Sequence, residues 1–157
     1  MMLARSIVLG AGSAVALCAP VAADAADSVH FASDVFVERF IAAPGGRTSR
    51  VLERAERLMP GDQVIFVVNW TARRGRAFVV TNPMPRTVAF QRSVDGAEDV
   101  SIDGGRNWGR MEDLTVREAD GSVRSATPED VTHLRWRVPD TLAQRGSGQL
   151  TYRGVVR

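Results

Sequence analysis

The chain has 157 residues with a hydrophobic fraction of 45% and a charged fraction of 24%, proportions that fit one ordinary globular domain. Its formal net charge is only +2, although all 20 basic residues are arginines, so strong electrostatic steering towards nucleic acid is not expected. The single cysteine, Cys18, excludes an internal disulfide.

The N-terminal segment has the features of a cleavable signal peptide. Arg5 supplies a positive charge, and the small or apolar run over residues 6–19 is too short to span a bilayer. We predict cleavage between Ala25 and Ala26, and the alternatives are a retained membrane anchor or a lipid attached at Cys18. Cleavage divides the chain into a signal-peptide helix, residues 1–25, and an exported domain, residues 26–157. The export signal predicts a periplasmic, cell-envelope or extracellular protein, and the exported part contains no candidate membrane span.

The exported part shows the pattern of an all-β domain, with short apolar–polar alternations separated by turn residues. Gln63–Thr71 is the clearest strand, and its apolar residues on both faces predict a central position in a sheet. Arg50–Leu58 fits a helix or a strand, and we interpret it as an extended edge strand because the turn Met59–Asp62 follows. Further strands are expected over residues 35–41, 77–81, 87–93, 131–138 and 149–156.

Turn signals complete this outline. Proline lacks an N–H donor, so Asn82–Pro85 is expected to end the strand over residues 77–81. Asp-Gly pairs at residues 95–96, 103–104 and 120–121 predict hairpins. Thr127–Asp130 predicts a single helical turn, with a threonine cap, a proline and two acidic residues. The expected architecture is an immunoglobulin-like antiparallel β-sandwich of about seven to nine strands. Its predicted core is Val64, Phe66, Val68, Trp70, Phe90, Leu134, Trp136, Leu150 and Tyr152.

One segment before the clearest strand resembles a known family motif. Residues 59–66 contain Pro60, Gly61 and Asp62 and are similar to the "P-G-D-x-V-x-Y/F" opening of the conserved repeat domain of unknown function. This family is an immunoglobulin-like module of bacterial surface and secreted proteins.

Two later segments extend the resemblance to most of the exported chain. Residues 79–85, which include Asn82, Pro83 and Pro85, resemble the family's "V-x-V-T-D/N-P-L-P" segment. Trp136 and the last strand resemble its closing half.

The chain departs from the family in two ways. It carries a single copy of the domain, and it lacks the "N-x-G" that often follows the first central strand. The resemblance implies a sandwich fold and an envelope or surface setting, and it supplies no catalytic residues.

Residues 101–108, with the sequence SIDGGRNW, resemble an Asp-box, a hairpin found in sialidases and other carbohydrate-associated proteins. Asp103 is expected to accept backbone N–H groups within the turn, and Trp108 to pack beneath it. We therefore interpret the segment as a structural hairpin. The alternative is a glycan contact made by Trp108 with Arg106.

Other polar groups give no catalytic or metal-binding pattern. An acidic cluster over residues 95–103 lacks the register of a calcium loop, so we interpret it as a solvated loop. His30 and His133 lie too far apart in sequence to suggest a zinc site, and His133 is expected to point towards water. No G-x-S-x-G elbow is present. The arginines of two segments are interpreted as solvated charges rather than a nucleic-acid site: Arg73, Arg74, Arg76, Arg135 and Arg137.

These observations predict a non-enzymatic structural or binding module of the cell envelope, with no cofactor, no metal and no nucleic-acid partner. The expected partner is an envelope protein or a surface glycan. A carbohydrate-binding module that uses the hairpin around Trp108 is the alternative.

Overall fold

The computed structural model describes residues 29–73 and 75–157. The predicted signal peptide and its cleavage site at Ala25 and Ala26 lie outside these residues. The described part contains ten strands: β1 (Val29–Ala43), β2 (Arg47–Arg54), β3 (Gln63–Ala72), β4 (Phe78–Pro83), β5 (Val88–Ser93), β6 (Asp99–Ser101), β7 (Thr115–Arg117), β8 (Val123–Ser125), β9 (His133–Val138) and β10 (Ser147–Val156).

The strands form an all-β sandwich of antiparallel sheets. One sheet has five strands in the order β2-β1-β3-β10-β5, and the other has three in the order β4-β9-β6. The short strands β7 and β8 pair as a separate hairpin. Among the residues that the structure describes, helical structure is limited to two 3₁₀ turns, Met111–Asp113 and Pro128–Asp130, and one α-helical turn, α1 (Asp140–Ala143). No helix in the described ranges is long and apolar enough to cross a membrane.

The core lies between the two sheets and confirms the predicted core residues. Eight of the nine are buried, and the ninth, Phe66, is half-buried and stacks on Tyr152 with ring centroids 4.6 Å apart. Trp136 of the opposite sheet packs on the same tyrosine at 5.7 Å. These side chains lie on the face of each strand that meets the opposite sheet, which explains why two-residue alternation located them correctly.

The central and edge positions of the five-stranded sheet also match the expectations. β3 lies between β1 and β10, as its two apolar faces predict, and β2 is an edge strand rather than a helix. The turn at Met59–Asp62 is confirmed by a hydrogen bond from the Asp62 N–H to the Met59 carbonyl, 3.0 Å long. The helical turn at Thr127–Asp130 is confirmed as well, with a reciprocal capping box between its first and last residues.

Some turn predictions are wrong. β4 does not end before Asn82, because its ladder with β9 continues to Pro83, paired with His133. The proline is tolerated because β4 is an edge strand, where one side of the backbone needs no partner. Asp95-Gly96 does not close a hairpin, since it connects β5 and β6, which belong to different sheets. Asp120-Gly121 does close one, between β7 and β8.

The strand count exceeds the expected seven to nine. β6, β7 and β8 have three residues each, and such short strands carry too few alternations to be recognised in a sequence.

Candidate binding surfaces

The Asp-box-like segment forms a loop whose polar groups hydrogen-bond to one another. The Asp103 carboxylate accepts the backbone N–H groups of Asn107 (2.9 Å) and Arg106 (3.1 Å), and also the Asn107 side-chain amide (2.6 Å). The Ser101 hydroxyl, which is fully buried, donates to the same carboxylate over 2.8 Å. The bonds from Asn107, together with the hydroxyl, hold the pKa of Asp103 well below its usual range. This carboxylate therefore organises the loop.

Trp108 is half-buried, and its indole N–H already has a hydrogen-bond acceptor within the loop. The indole N–H donates to the Gly105 carbonyl over 2.9 Å, and the Arg135 guanidinium lies 4.4 Å from the ring centroid. His133 packs against the indole edge-on, at 6.4 Å between centroids, so it is half-buried rather than pointing freely to water as predicted. The side chain of Arg106 is exposed on the same loop. The contacts of Trp108 favour the structural interpretation of this hairpin.

Both arginines of β9 are ion-paired, and Arg137 is exposed as predicted whereas Arg135 is half-buried. Asp99 of β6 binds Arg135 at 2.8 Å and Arg137 at 2.6 Å on the outer face of the three-stranded sheet. Burial raises the pKa of Asp99, but the two guanidinium groups outweigh it and leave that pKa below its usual value. Arg73 and Arg76 are exposed in the connection from β3 to β4, and Arg74 lies outside the described residues.

The acidic residues of the sequence cluster have separate partners. Glu98 accepts a hydrogen bond from the Ser93 hydroxyl, Asp99 binds the β9 arginines, and Asp95 is exposed. Within residues 29–73 and 75–157, no three histidine, cysteine or acidic side chains lie close enough together to hold a metal ion.

The first family-like motif ties the turn before β3 to the last strand. The Gly61 N–H donates to the Val156 carbonyl over 2.8 Å, and the Val156 N–H donates to the Asp62 carbonyl over 2.9 Å. The Asp62 carboxylate accepts the Met59 N–H and binds Arg39 at 2.5 Å, and both contacts lower its pKa. Gly61 has a φ of 89°, which explains the glycine after Pro60.

The second family-like motif joins the two sheets across the core. The Asn82 side-chain amide donates to the Tyr152 hydroxyl over 2.6 Å, and burial raises the pKa of that phenol. Pro83 ends the edge strand, and the Pro85 carbonyl accepts the Val88 N–H over 3.0 Å in the turn that leads to β5. These residues, like Trp136, therefore have structural roles.

Sequence reasoning missed an overhanging hairpin at the edge of the five-stranded sheet. β1 pairs with β3 only as far as Glu38, and from Arg39 onward its ladder partner in the described chain is β2. We name residues 38–43 and 47–52 the β1–β2 ribbon. Its side chains Phe40 and Leu52 are 64% and 46% exposed and lie on the same face, away from the core.

The molecule thus belongs to the class of all-β sandwich proteins, with one overhanging ribbon and an Asp-box-like loop on opposite sheets. Comparison with protein-family models, with curated proteins and with solved structures gave no match.

Proposed function

We propose that this chain is an exported, non-enzymatic binding module of the bacterial cell envelope, with an immunoglobulin-like sandwich that docks on an envelope protein through the β1–β2 ribbon. The observation that carries the proposal is the exposure of Phe40 and Leu52 on one face of a two-stranded hairpin. Neighbouring exposed apolar side chains on an otherwise ordinary surface are typical of protein interaction sites.

The position of β2 supports the same proposal. Within the part of the chain that the structure describes, β2 is an edge strand, so one side of its backbone has no partner strand there and can pair with an extended segment of another protein. Arg47, Arg50 and Arg54 on this strand discourage indiscriminate pairing, while the apolar side chains beside them supply contact area. A two-stranded ribbon on its own is marginally stable, so a partner would also stabilise this hairpin.

Site-specific crosslinking in the source cells tests the proposal. A photoreactive phenylalanine analogue replaces Phe40, and the matched control carries it at Val123, which is 55% exposed on the distant β7–β8 hairpin. We expect a discrete protein adduct at position 40 and none at position 123. No adduct at position 40, or the same adducts at both positions, would contradict docking through the ribbon.

Export is tested separately by fractionation and intact-mass analysis. The expected species is soluble and begins at Ala26. A membrane-bound species that retains residues 1–25, or one lipidated at Cys18, would contradict cleavage while leaving the crosslinking result intact.

The carbohydrate alternative has less support. A sugar-binding tryptophan normally offers an open ring face, whereas Trp108 has the Arg135 guanidinium 4.4 Å from its ring centroid. If the hairpin nevertheless binds glycans, the Trp108→Ala change will abolish binding on a glycan array without lowering the melting temperature.

A further inference from the structure

Two arginines lie directly opposite each other on the outer face of the five-stranded sheet. Arg92 of β5 and Arg153 of β10 are cross-strand partners in the antiparallel ladder. Opposed residues of this kind have Cβ atoms about 4.5–5.5 Å apart, and two like charges there destabilise the sheet. An anion held between the two guanidinium groups would remove that repulsion.

The ladder is irregular at the same point. Arg153 pairs with Arg92 but Gly154 pairs with Phe90, so β5 carries one extra residue, Gln91. Gln91 and Arg92 at this bulge line one cleft, together with the preceding residues Ala89 and Phe90 of the same strand. Bulges commonly redirect side chains next to binding sites.

The cleft has room for an organic ligand with a charged group. Its volume is about 880 Å³, and its lining combines the apolar side chains Ala89 and Val155 with Gln63, Gln91, Arg92 and Arg153. Arg157 and Glu129 also contribute, and the Arg157 side chain donates to the Val88 carbonyl. Cations therefore outnumber acidic side chains in the lining.

The nearby carboxylates do not neutralise the arginine pair. Arg153 lies 3.3 Å from Glu38, but that nearly buried carboxylate also binds Arg50 at 2.8 Å. Arg92 has no carboxylate within 4.0 Å among the residues that the structure describes. A positive charge thus remains in the cleft at Arg92.

We propose that this cleft binds a phosphate monoester, with the phosphate between Arg92 and Arg153 and its organic group over Ala89 and Val155. Guanidinium groups donate paired hydrogen bonds to phosphate oxygens, and the amides of Gln63 and Gln91 add further donors. The cleft lies on the same outer face of the five-stranded sheet as the exposed side chains of the β1–β2 ribbon, but the proposal rests on Arg92 and Arg153 and does not depend on docking through the ribbon.

Calorimetric titration of the protein purified from its source cells tests the site, with glucose 6-phosphate as the probe and glucose as the uncharged comparison. We expect saturable binding of the phosphate ester and none of glucose. Arg92→Gln should weaken binding by roughly tenfold or more, the effect of losing one charge-assisted contact. Arg145→Gln is the matched control, because Arg145 is exposed before the start of β10, at the end of that strand remote from Arg153.

Thermal unfolding of the same variants separates a binding defect from a folding defect. Arg92→Gln removes a like charge, so without ligand its melting temperature should equal or exceed that of the parent. The ester should raise the melting temperature of the parent and of Arg145→Gln but not that of Arg92→Gln. Absence of saturable binding, or equal weakening in both variants, would overturn the proposal.

Vesicles distinguish the two sources of a phosphate monoester. Arg92-dependent binding to phosphatidylcholine vesicles that contain phosphatidic acid supports a lipid headgroup as the ligand. Arg92-dependent binding of glucose 6-phosphate without vesicle binding supports a soluble ester. Equal binding to vesicles that contain phosphatidylglycerol, a phosphodiester, would overturn the specificity for a monoester.

Discussion

The hydrogen bond between Asn82 and Tyr152 provides a test of how the two sheets are held together. The Asn82 amide donates to the Tyr152 hydroxyl over 2.6 Å, and Tyr152 is 1% exposed. The two partners are not equivalent, because Asn82 is half-buried and its amide also reaches the Pro83 carbonyl at 3.2 Å. Removing one partner should therefore cost more than removing the other.

The magnitudes follow from which group is left without a partner. Asn82→Ala leaves the hydroxyl of the nearly buried Tyr152 without its protein partner, and this should lower the free energy of unfolding by about 1–3 kcal/mol. Tyr152→Phe removes the buried hydroxyl itself and leaves an amide with a second acceptor, so its cost should be about 0.5–1.5 kcal/mol. The double variant should lose about 1 kcal/mol less than the sum of the two single variants, because each single change already removes the same hydrogen bond.

Urea unfolding followed by tryptophan fluorescence measures all four proteins of this cycle. The parent and the three variants should have similar m-values, which would show that the changes act on stability rather than on the extent of unfolding. The reasoning is refuted if Tyr152→Phe costs as much as Asn82→Ala, or if the costs of the two single changes simply add in the double variant.

Three further changes test the loop, the packing and the charges. Trp108→Ala removes a half-buried indole whose N–H is hydrogen-bonded within its own loop, so it should lower the melting temperature. An unchanged melting temperature would contradict the structural interpretation of this hairpin. Gly148→Ala places a Cβ in steric overlap with the Trp70 ring, so urea unfolding should report a loss of about 1–3 kcal/mol in the free energy of unfolding. An unchanged free energy of unfolding would contradict this close packing. The hydrogen bonds from Arg124 hold the pKa of Asp130 well below its usual value of about 4, so the contribution of this ion pair to stability is complete above about pH 4 and is lost as the pH falls through the lowered pKa. Acid titration should therefore show a shallower loss of stability in Asp130→Asn than in the parent, and identical slopes would exclude this contribution.

The sequence predicted those parts of the fold in which one local pattern determines the outcome. β9 and β10 alternate between buried and less buried residues because one face of each meets the opposite sheet, so their core side chains could be identified. The apolar residues on both faces of β3 likewise indicated its central position. The helical turn at Thr127–Asp130 was equally predictable, since its cap, proline and acidic residues act within a single turn.

The predictions that were wrong or missing concern features that depend on pairing between residues distant in the sequence. Asp95-Gly96 and Asp120-Gly121 are the same dipeptide, yet the first leads to a strand of the other sheet and the second closes a hairpin. The length of β1 beyond β3 was also hidden, because a strand pattern does not reveal where its neighbour stops. The apposition of Arg92 and Arg153 needs both the order of the strands and the bulge, neither of which a local motif encodes.

The two outer faces of the sandwich differ in how many of their charged side chains already have partners within the protein. On the three-stranded sheet, Asp99 binds two arginines and one of these, Arg135, also covers Trp108, so a ligand would have to displace contacts within the protein. On the five-stranded sheet, Arg92 has no carboxylate partner among the described residues and Phe40 is 64% exposed, so a ligand or partner would displace fewer contacts, chiefly the one between Arg153 and Glu38. Binding is favourable only if the new interactions outweigh those that are lost. The outer face of the five-stranded sheet is therefore the better candidate for recognition, and the Asp-box-like hairpin around Trp108 is the poorer one.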